Sequence, residues 1–121
     1  MDDGRNLSIS FLQNSRTGKT VQKGLTLQHP NGRIEVCKDM SFGAKRSWKS
    51  PRGIAYSVEW EIKSTEPELA MRIRPRTDDH EIPVLLYGQI WEGPCTVEVR
   101  GKQGRKVRGI GFQELIGQAH E

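Results

Sequence analysis

Two carboxylates are the candidate catalytic groups of this 121-residue sequence. Glu114 lies in the alternating run at 107–116, on the same predicted strand face as Phe112 and Ile116. If that face is interior, burial favours the protonated carboxyl, which can act as a general acid. The alternative is a structural carboxylate that fixes a barrel corner through hydrogen bonds.

Glu92 is the second candidate, and the sequence predicts a tight corner around it. It lies between Trp91 and the pair Gly93 and Pro94. Glycine readily adopts a positive φ, and proline cannot donate a hydrogen bond to a neighbouring strand. A regular central strand is therefore not expected here, and we predict that strand pairing restarts at Cys95.

Other kinds of catalytic chemistry lack their sequence motifs. The sequence contains no GxSxG, HExxH, P-loop or dinucleotide-binding motif. His29, His80 and His120 form no metal-ligand spacing with one another or with cysteine. Cys37 and Cys95 lack CxxC spacing, and we predict that both are buried free thiols. We therefore expect neither a metal nor a cofactor.

Short alternating runs, separated by glycine and proline, predict an all-β fold. The chain has 13 glycines and 6 prolines, and 34% of its residues are apolar. The clearest strand places large apolar residues on one face: Ile54, Tyr56, Val58, Trp60 and Ile62. We predict a single domain over residues 1–121, built as an antiparallel β-barrel of about eight strands. Such a barrel is filled by side chains or holds one small ligand.

Basic residues suggest a polyanionic partner, because 19 basic and 15 acidic residues give a net charge of +4. One basic segment is 43–53, predicted as a connecting loop around Trp48, and the other is the turn at 100–108. Either segment could contact nucleic acid phosphates. A solvated loop and hairpin are the favoured interpretation, as is a solvent-facing position for Arg72 and Arg74.

The first residues and the hydropathy pattern indicate where in the cell the protein is expected. No apolar run approaches the length needed to span a membrane. Residues 1–4 do not begin a signal-peptide pattern. We therefore expect a soluble, cytoplasmic protein.

An ordered set of motifs extends through most of the chain. It consists of Trp48 with Ser50 and Pro51, then Gly53, Tyr56 and Trp60, then Trp91-Glu92-Gly93, and finally GxGFxELxG at 109–117. Together these motifs resemble the C-terminal barrel of the lipocalin-like hydroxyneurosporene synthase family. That family includes carotenoid hydratases, AttH-type proteins and fungal decalin-forming Diels-Alderases.

The resemblance implies a cofactor-free, lipocalin-like barrel that binds an apolar isoprenoid- or polyketide-like molecule and hydrates or cyclises it. The implied pocket residues are Trp48, Tyr56, Trp60, Trp91 and Phe112, and the implied polar group is Glu114 or Glu92. Two alternatives remain open. One is a carrier barrel without turnover, and the other is an interaction module that binds a polyanion through the basic segments.

Members of this family usually have two barrel domains, and the chain resembles only the second. An incomplete barrel would leave an unpaired strand edge, which proteins tend to cover. We therefore predict that a second copy of the chain, or a companion half-protein, completes the barrel or the pocket.

Overall fold

The computed structural model describes residues 1–13, 20–84, 88–101, 103–116 and 118–119. These residues form ten β-strands, and they include no helix of the length and hydrophobicity needed to cross a bilayer. The strands are β1 (Asn6–Gln13), β2 (Thr20–Gln28), β3 (Ile34–Val36), β4 (Ser41–Lys49), β5 (Ile54–Thr65), β6 (Glu68–Pro75), β7 (Glu81–Val84), β8 (Gly88–Gly101), β9 (Lys106–Leu115) and β10 (Gln118–Ala119).

The strands form two antiparallel sheets. The first contains β1, β2 and β3 in sequence order. The second has seven strands along the path β10-β5-β6-β8-β7, with β4 paired to β5 and β9 paired to β8. The predicted all-β antiparallel fold is confirmed, with ten strands rather than about eight. The ladders of the described residues do not join the two sheets into a closed barrel, so closure stays a prediction.

Strand β4 accounts for part of the difference in strand number. The sequence predicts a connecting loop over 43–53, and this prediction is wrong because most of the segment lies in β4, paired with β5. Register shifts on both sides of Arg46 break the two-residue alternation that would have revealed a strand. The turn is confined to 50–53. Trp48 therefore lies on a strand, opposite Tyr56.

The predicted corner at 91–94 is also wrong, because β8 continues through it and pairs with β9 on both sides. Along its other edge, β6 ends opposite Cys95 and β7 begins opposite Trp91, so Pro94 lies between two partner strands. The backbone N and O of one residue point to the same side of an antiparallel strand. The Pro94 carbonyl accepts a hydrogen bond from Arg76 N, in the connection between β6 and β7. The missing Pro94 donor therefore removes no ladder hydrogen bond.

Two groups of buried side chains form the core. The larger comprises Leu25, Leu27, Cys37, Met40, Ile62, Leu69, Met71, Ile73, Cys95 and Val99. The smaller consists of Tyr56, Val58 and Trp91. Tyr56, Val58 and Ile62 of these groups lie on the predicted apolar face of β5. Both groups therefore include side chains of the long strands β5 and β8.

Gly93 should tolerate no larger side chain, because a Cβ at this position would lie 2.6 Å from Cγ of His80. We expect Gly93→Ala to lower the free energy of unfolding by about 1–3 kcal/mol, the usual range for overpacking a core. Urea denaturation measures the difference. Gly43→Ala is the matched control, since the atom nearest to its Cβ is the Glu61 carbonyl oxygen at 3.7 Å. Equal stability of the two variants would contradict the prediction.

Candidate functional site

An apolar cavity of 310 Å³ lies between the three-stranded sheet and the inward face of the seven-stranded sheet. Its walls come from β1, β5, β6 and β8, with Phe42 from β4 and residues 110–115 from β9. Most of the lining side chains are aliphatic or aromatic. We call this space the apolar cavity. Its size is at the lower end of the range found for small-molecule sites.

Three aromatic rings form one wall of the apolar cavity. Phe11 stacks on Phe42 with ring centroids 4.5 Å apart, and Phe11 meets the edge of Trp60 at 5.4 Å. Trp60 donates its Nε1 hydrogen to the Ser57 carbonyl oxygen at 2.8 Å. The only polar atom of the Trp60 side chain is therefore satisfied within β5. The wall thus offers apolar surface to a ligand.

Few polar side chains line the apolar cavity: Asn6, Gln113 and Glu114. Gln113 is 8% exposed, and its Nε2 donates to the Val58 carbonyl oxygen at 3.2 Å. This bond fixes the orientation of the amide and leaves its oxygen as an acceptor. Sequence analysis missed Gln113, although its position on the glycine-bearing face of β9 was a usable signal.

The structure brings the two candidate carboxylates together, since Glu92 on β8 is the cross-strand partner of Glu114 on β9. The face that carries Glu114 points outward: Phe112 is 64% exposed and Ile116 is 84% exposed. The interior position on which the general-acid hypothesis depended is therefore not observed. The reason is that the opposite face of β9, which includes the buried Gly109, packs inward. Glu114 lies at the border of the apolar cavity, not within the core.

Three of the predicted pocket residues lie in a separate buried group. Trp48 stacks on Tyr56 at 6.3 Å, and the Trp91 Nε1 donates to the Asp78 carbonyl oxygen at 2.6 Å. The Tyr56 hydroxyl donates to Glu81 Oε2 at 2.8 Å. None of these residues lines the apolar cavity. Of the predicted aromatic residues, only Trp60 and Phe112 do so.

Tyr56 and Glu81 form the buried polar contact of this second group. Tyr56 is fully buried, and the Glu81 side chain is only 7% exposed. Burial raises the pKa of the Tyr56 phenol well above its usual value, and the hydrogen bond to the Glu81 carboxylate raises it further. The positive charge of the Arg52 guanidinium, 3.9 Å from Glu81, partly offsets this rise because it lowers the pKa of Tyr56. The contact ties β7 to β5.

Both thiols are buried and unpaired, as predicted. Cys95 lines the apolar cavity, and burial raises its pKa. Burial also raises the pKa of Cys37. Among the described residues, no group of three or more His, Cys, Asp or Glu side chains is arranged to bind a metal ion.

Much of the positive charge in the basic segment at 43–53 is paired within the protein. Lys45 lies 3.7 Å from Glu61, and Arg46 Nη2 lies 2.8 Å from Asp78 Oδ1. These cations already have carboxylate partners, so they have less to gain from a phosphate. The pairing weakens the interpretation of this segment as a polyanion-binding surface.

A row of alternating charges crosses the outer face of the seven-stranded sheet. Glu61 on β5, Arg72 on β6, Glu98 on β8 and Arg108 on β9 are successive cross-strand partners. We call these four residues the charge row. Opposite charges at facing positions stabilise a sheet by about 0.2–1 kcal/mol for each pair. The row confirms that the Arg72 side of β6 is its outer face, as predicted.

The fold and the cavity define a lipocalin-like antiparallel β protein with an apolar internal site. The profile of the family described as AttH-like matches residues 1–118. The chain therefore belongs to the AttH-like family, which confirms the family resemblance of its motifs. The search of curated protein sequences gave no match.

Two solved structures from other organisms illustrate the similarity in fold. Kievitone hydratase from Nectria haematococca is 19% identical with a TM-score of 0.76, and the match covers 98% of this chain and 36% of that one. An AttH protein from Nitrosomonas europaea is 24% identical with a TM-score of 0.79, and the match covers 94% of this chain and 35% of that one. The chain thus spans about a third of the length of both structures.

The buried Tyr56 phenol predicts a loss of stability at alkaline pH. In the unfolded chain a phenol loses its proton near pH 10. The folded chain holds that proton to higher pH, so unfolding becomes more favourable as pH rises above about 10. Above this pH the Tyr56 phenol should lower the free energy of unfolding by about 1.4 kcal/mol per pH unit. Tyr56→Phe should remove this contribution to the pH dependence.

Urea denaturation of wild type and Tyr56→Phe between pH 8 and pH 11 measures this slope. The variant keeps every other titrating group, so the difference between the two curves isolates the phenol. Equal slopes above pH 10 would show that Tyr56 does not contribute.

Proposed function

We propose that the chain binds an apolar isoprenoid- or polyketide-like molecule in the apolar cavity and acts on it as a hydratase or cyclase without a cofactor. The observation that carries this proposal is the cavity itself, with its mostly apolar lining side chains and the Glu114 carboxylate at its border. Such a lining favours an apolar ligand, because each Å² of apolar surface removed from water contributes about 25 cal/mol.

Hydration is one candidate reaction, with Glu114 at the border of the apolar cavity and Glu92 as its cross-strand partner. Facing residues in an antiparallel ladder have Cβ atoms about 5 Å apart. In the proposed step, a protonated carboxyl gives its proton to one alkene carbon, and the other carboxylate takes a proton from the water that attacks the second carbon. Overall, the π bond of the alkene and one O–H bond of water break, and one C–H and one C–O bond form. The similarity in fold to kievitone hydratase is compatible with this reaction.

Cyclisation would need fewer catalytic groups from the protein than hydration does. The aromatic wall of Phe11, Phe42 and Trp60 could hold a flexible polyene in a reactive conformation, which lowers the entropic part of the barrier. A polar group at the cavity border would then stabilise developing charge.

A carrier barrel without turnover is the second candidate function. The scarcity of polar side chains in the apolar cavity favours it, since a carrier needs only apolar contact. The two functions differ in one respect. A carrier releases its ligand unchanged, whereas a hydratase returns a product heavier by one water molecule.

Glu114→Gln separates these functions. For a hydratase, loss of a general acid or base lowers turnover by about a hundredfold or more. The same change should not lower stability, because it removes one of two like charges that face each other across β8 and β9. Incubation with terpenoid and polyketide alkenes in H₂¹⁸O, followed by mass spectrometry, measures turnover, and thermal unfolding measures stability.

Glu68→Gln is the matched control, because Glu68 is an exposed carboxylate that does not line the apolar cavity. Label incorporation that is lost only in Glu114→Gln supports the hydratase. Bound ligand that is recovered unchanged from wild type, with no incorporation of label, would leave the carrier. Absence of apolar ligand binding would remove both functions.

We also propose that a second copy of the chain covers the outward face of β9 and completes the pocket. Ile110 and Phe112 are 79% and 64% exposed on this face, and Ile116, directly after the end of β9, is 84% exposed. Large apolar side chains aligned on one exposed strand are typical of an interaction surface.

Phe112→Ser should weaken this dimer at least tenfold, because it removes an aromatic side chain from the middle of the proposed contact. Native mass spectrometry at micromolar concentration measures the ratio of dimer to monomer. Ile34→Ser is the control, since Ile34 is equally exposed at 64% but lies on β3. A wild-type protein that is entirely monomeric at this concentration would contradict the proposed dimer.

A further inference from the structure

Gln113 spans a gap in the strand pairing of β5. One edge of β5 pairs with β10 near its start and with β6 from Trp60 onward, so residues 56–59 have no partner strand on that edge among the described residues. Because the register of β4 shifts, Val58 also has no partner in the ladder on the other edge. The Val58 carbonyl oxygen instead accepts the hydrogen bond from Gln113 Nε2. The Gln113 side chain thus takes the place of a missing strand partner.

This hydrogen bond determines which way the Gln113 amide faces. Only the nitrogen of a carboxamide can donate, so Nε2 points toward Val58 and Oε1 points away from it. No described residue donates a hydrogen bond to Oε1, although Gln113 is only 8% exposed. In the described part of the chain, the one fully enclosed side-chain polar atom without a partner is Arg72 Nε, so Oε1 keeps accessible surface. Since Gln113 lines the apolar cavity, this surface faces the cavity.

Gly111 leaves room beside this oxygen. Residues 111 and 113 lie on the same face of β9, because the side chains of a strand alternate between its two faces. Gly111 lines the apolar cavity and is itself exposed. A Cβ at this position would lie 3.2 Å from Sγ of Cys95 and 3.6 Å from Cγ2 of Val97, so a side chain would occupy part of the cavity. The glycine therefore keeps the space next to Gln113 open.

Gln113 differs from the other polar side chains of the apolar cavity in its burial. Asn6 and Glu114 are both exposed, so water can satisfy their hydrogen bonds. The Trp60 Nε1 already has a partner in the Ser57 carbonyl oxygen. A ligand that fills the cavity removes water from Gln113 Oε1. This loss costs free energy unless the ligand supplies a hydrogen-bond donor of its own.

We propose that the ligand of the apolar cavity is an apolar molecule with a hydroxyl group, an alcohol or a phenol, which donates a hydrogen bond to Gln113 Oε1. This inference rests on the proposed function and adds a substrate class to it. The apolar skeleton contributes affinity, and the hydroxyl determines how the skeleton is oriented. A ketone or an ether of the same shape would place a second acceptor against Oε1 and leave both oxygens without a donor.

Competition between an alcohol and the matching ketone tests the inference. N-Phenyl-1-naphthylamine, a neutral fluorescent probe of apolar sites, is bound first and then displaced by 2-decanol or by 2-decanone. The two ligands have the same carbon skeleton, but only the alcohol can donate a hydrogen bond. We expect 2-decanol to displace the probe from wild type at a concentration lower by about fivefold or more, as a hydrogen bond to a buried acceptor predicts.

Gln113→Met replaces the amide with an apolar side chain of similar length. It should bring the two concentrations to within about twofold of each other, because the acceptor for the hydroxyl is gone. Ser64→Ala is the matched control. Ser64 is buried and also donates to a backbone carbonyl oxygen, that of Lys38 at 3.3 Å, but it does not line the apolar cavity. Both variants lose a buried hydrogen bond, whereas only Gln113→Met should lose the preference for the alcohol. Thermal unfolding measures the stability of each.

The outcomes separate the inference from the proposed function. Probe binding with equal displacement by the two ligands would leave the apolar site intact and overturn the hydroxyl, and this wild-type measurement does not depend on the folding of any variant. A preference that persists in Gln113→Met, or that Ser64→Ala loses to the same extent, would overturn the role of Gln113. Absence of probe binding would refute the proposed function, and the inference with it.

Discussion

The pairing of β8 with β9 is the interaction on which the rest of the structure depends. It extends along the whole of β9 without a register shift, and it supplies one wall of the apolar cavity. It also places Glu92 opposite Glu114. Because this edge of β8 is fully paired, the other edge can change partner from β6 to β7 without loss of the strand. The space released by that change receives the His80 ring against Gly93.

Sequence alternation predicted the long strands well, and local rules failed where distant partners decided the outcome. The apolar face of β5 followed directly from a two-residue period. The prediction at Pro94 was wrong, because the effect of a proline on a strand depends on whether a partner strand needs the missing N–H group. At Pro94 this depends on where β6 ends and where β7 begins, and the sequence around Pro94 encodes neither position. The bulge at Arg46 had the opposite effect, since it concealed a strand by breaking the alternation.

The candidate site was predictable only in part, because residues on one face of a strand need not share a cavity. Tyr56 and Trp60 both point inward from β5, yet Tyr56 joins the Trp91 group and Trp60 joins the aromatic wall. A coiled strand turns its face along its length, so its two ends serve different spaces. Phe11 and Phe42 were missed for a related reason. Their meeting at Trp60 depends on how the two sheets pack, which no local pattern contains.

The charge row constrains how the sequence can diverge. Each of its inner members faces an opposite charge on both neighbouring strands, so reversal of one charge would create two repulsive contacts at once. Reversal of all four signs would restore every attraction. Among related chains with this sheet, these positions should therefore covary in sign across strands that are far apart in sequence. Such covariation would record the strand order of the sheet, independently of any apolar pattern.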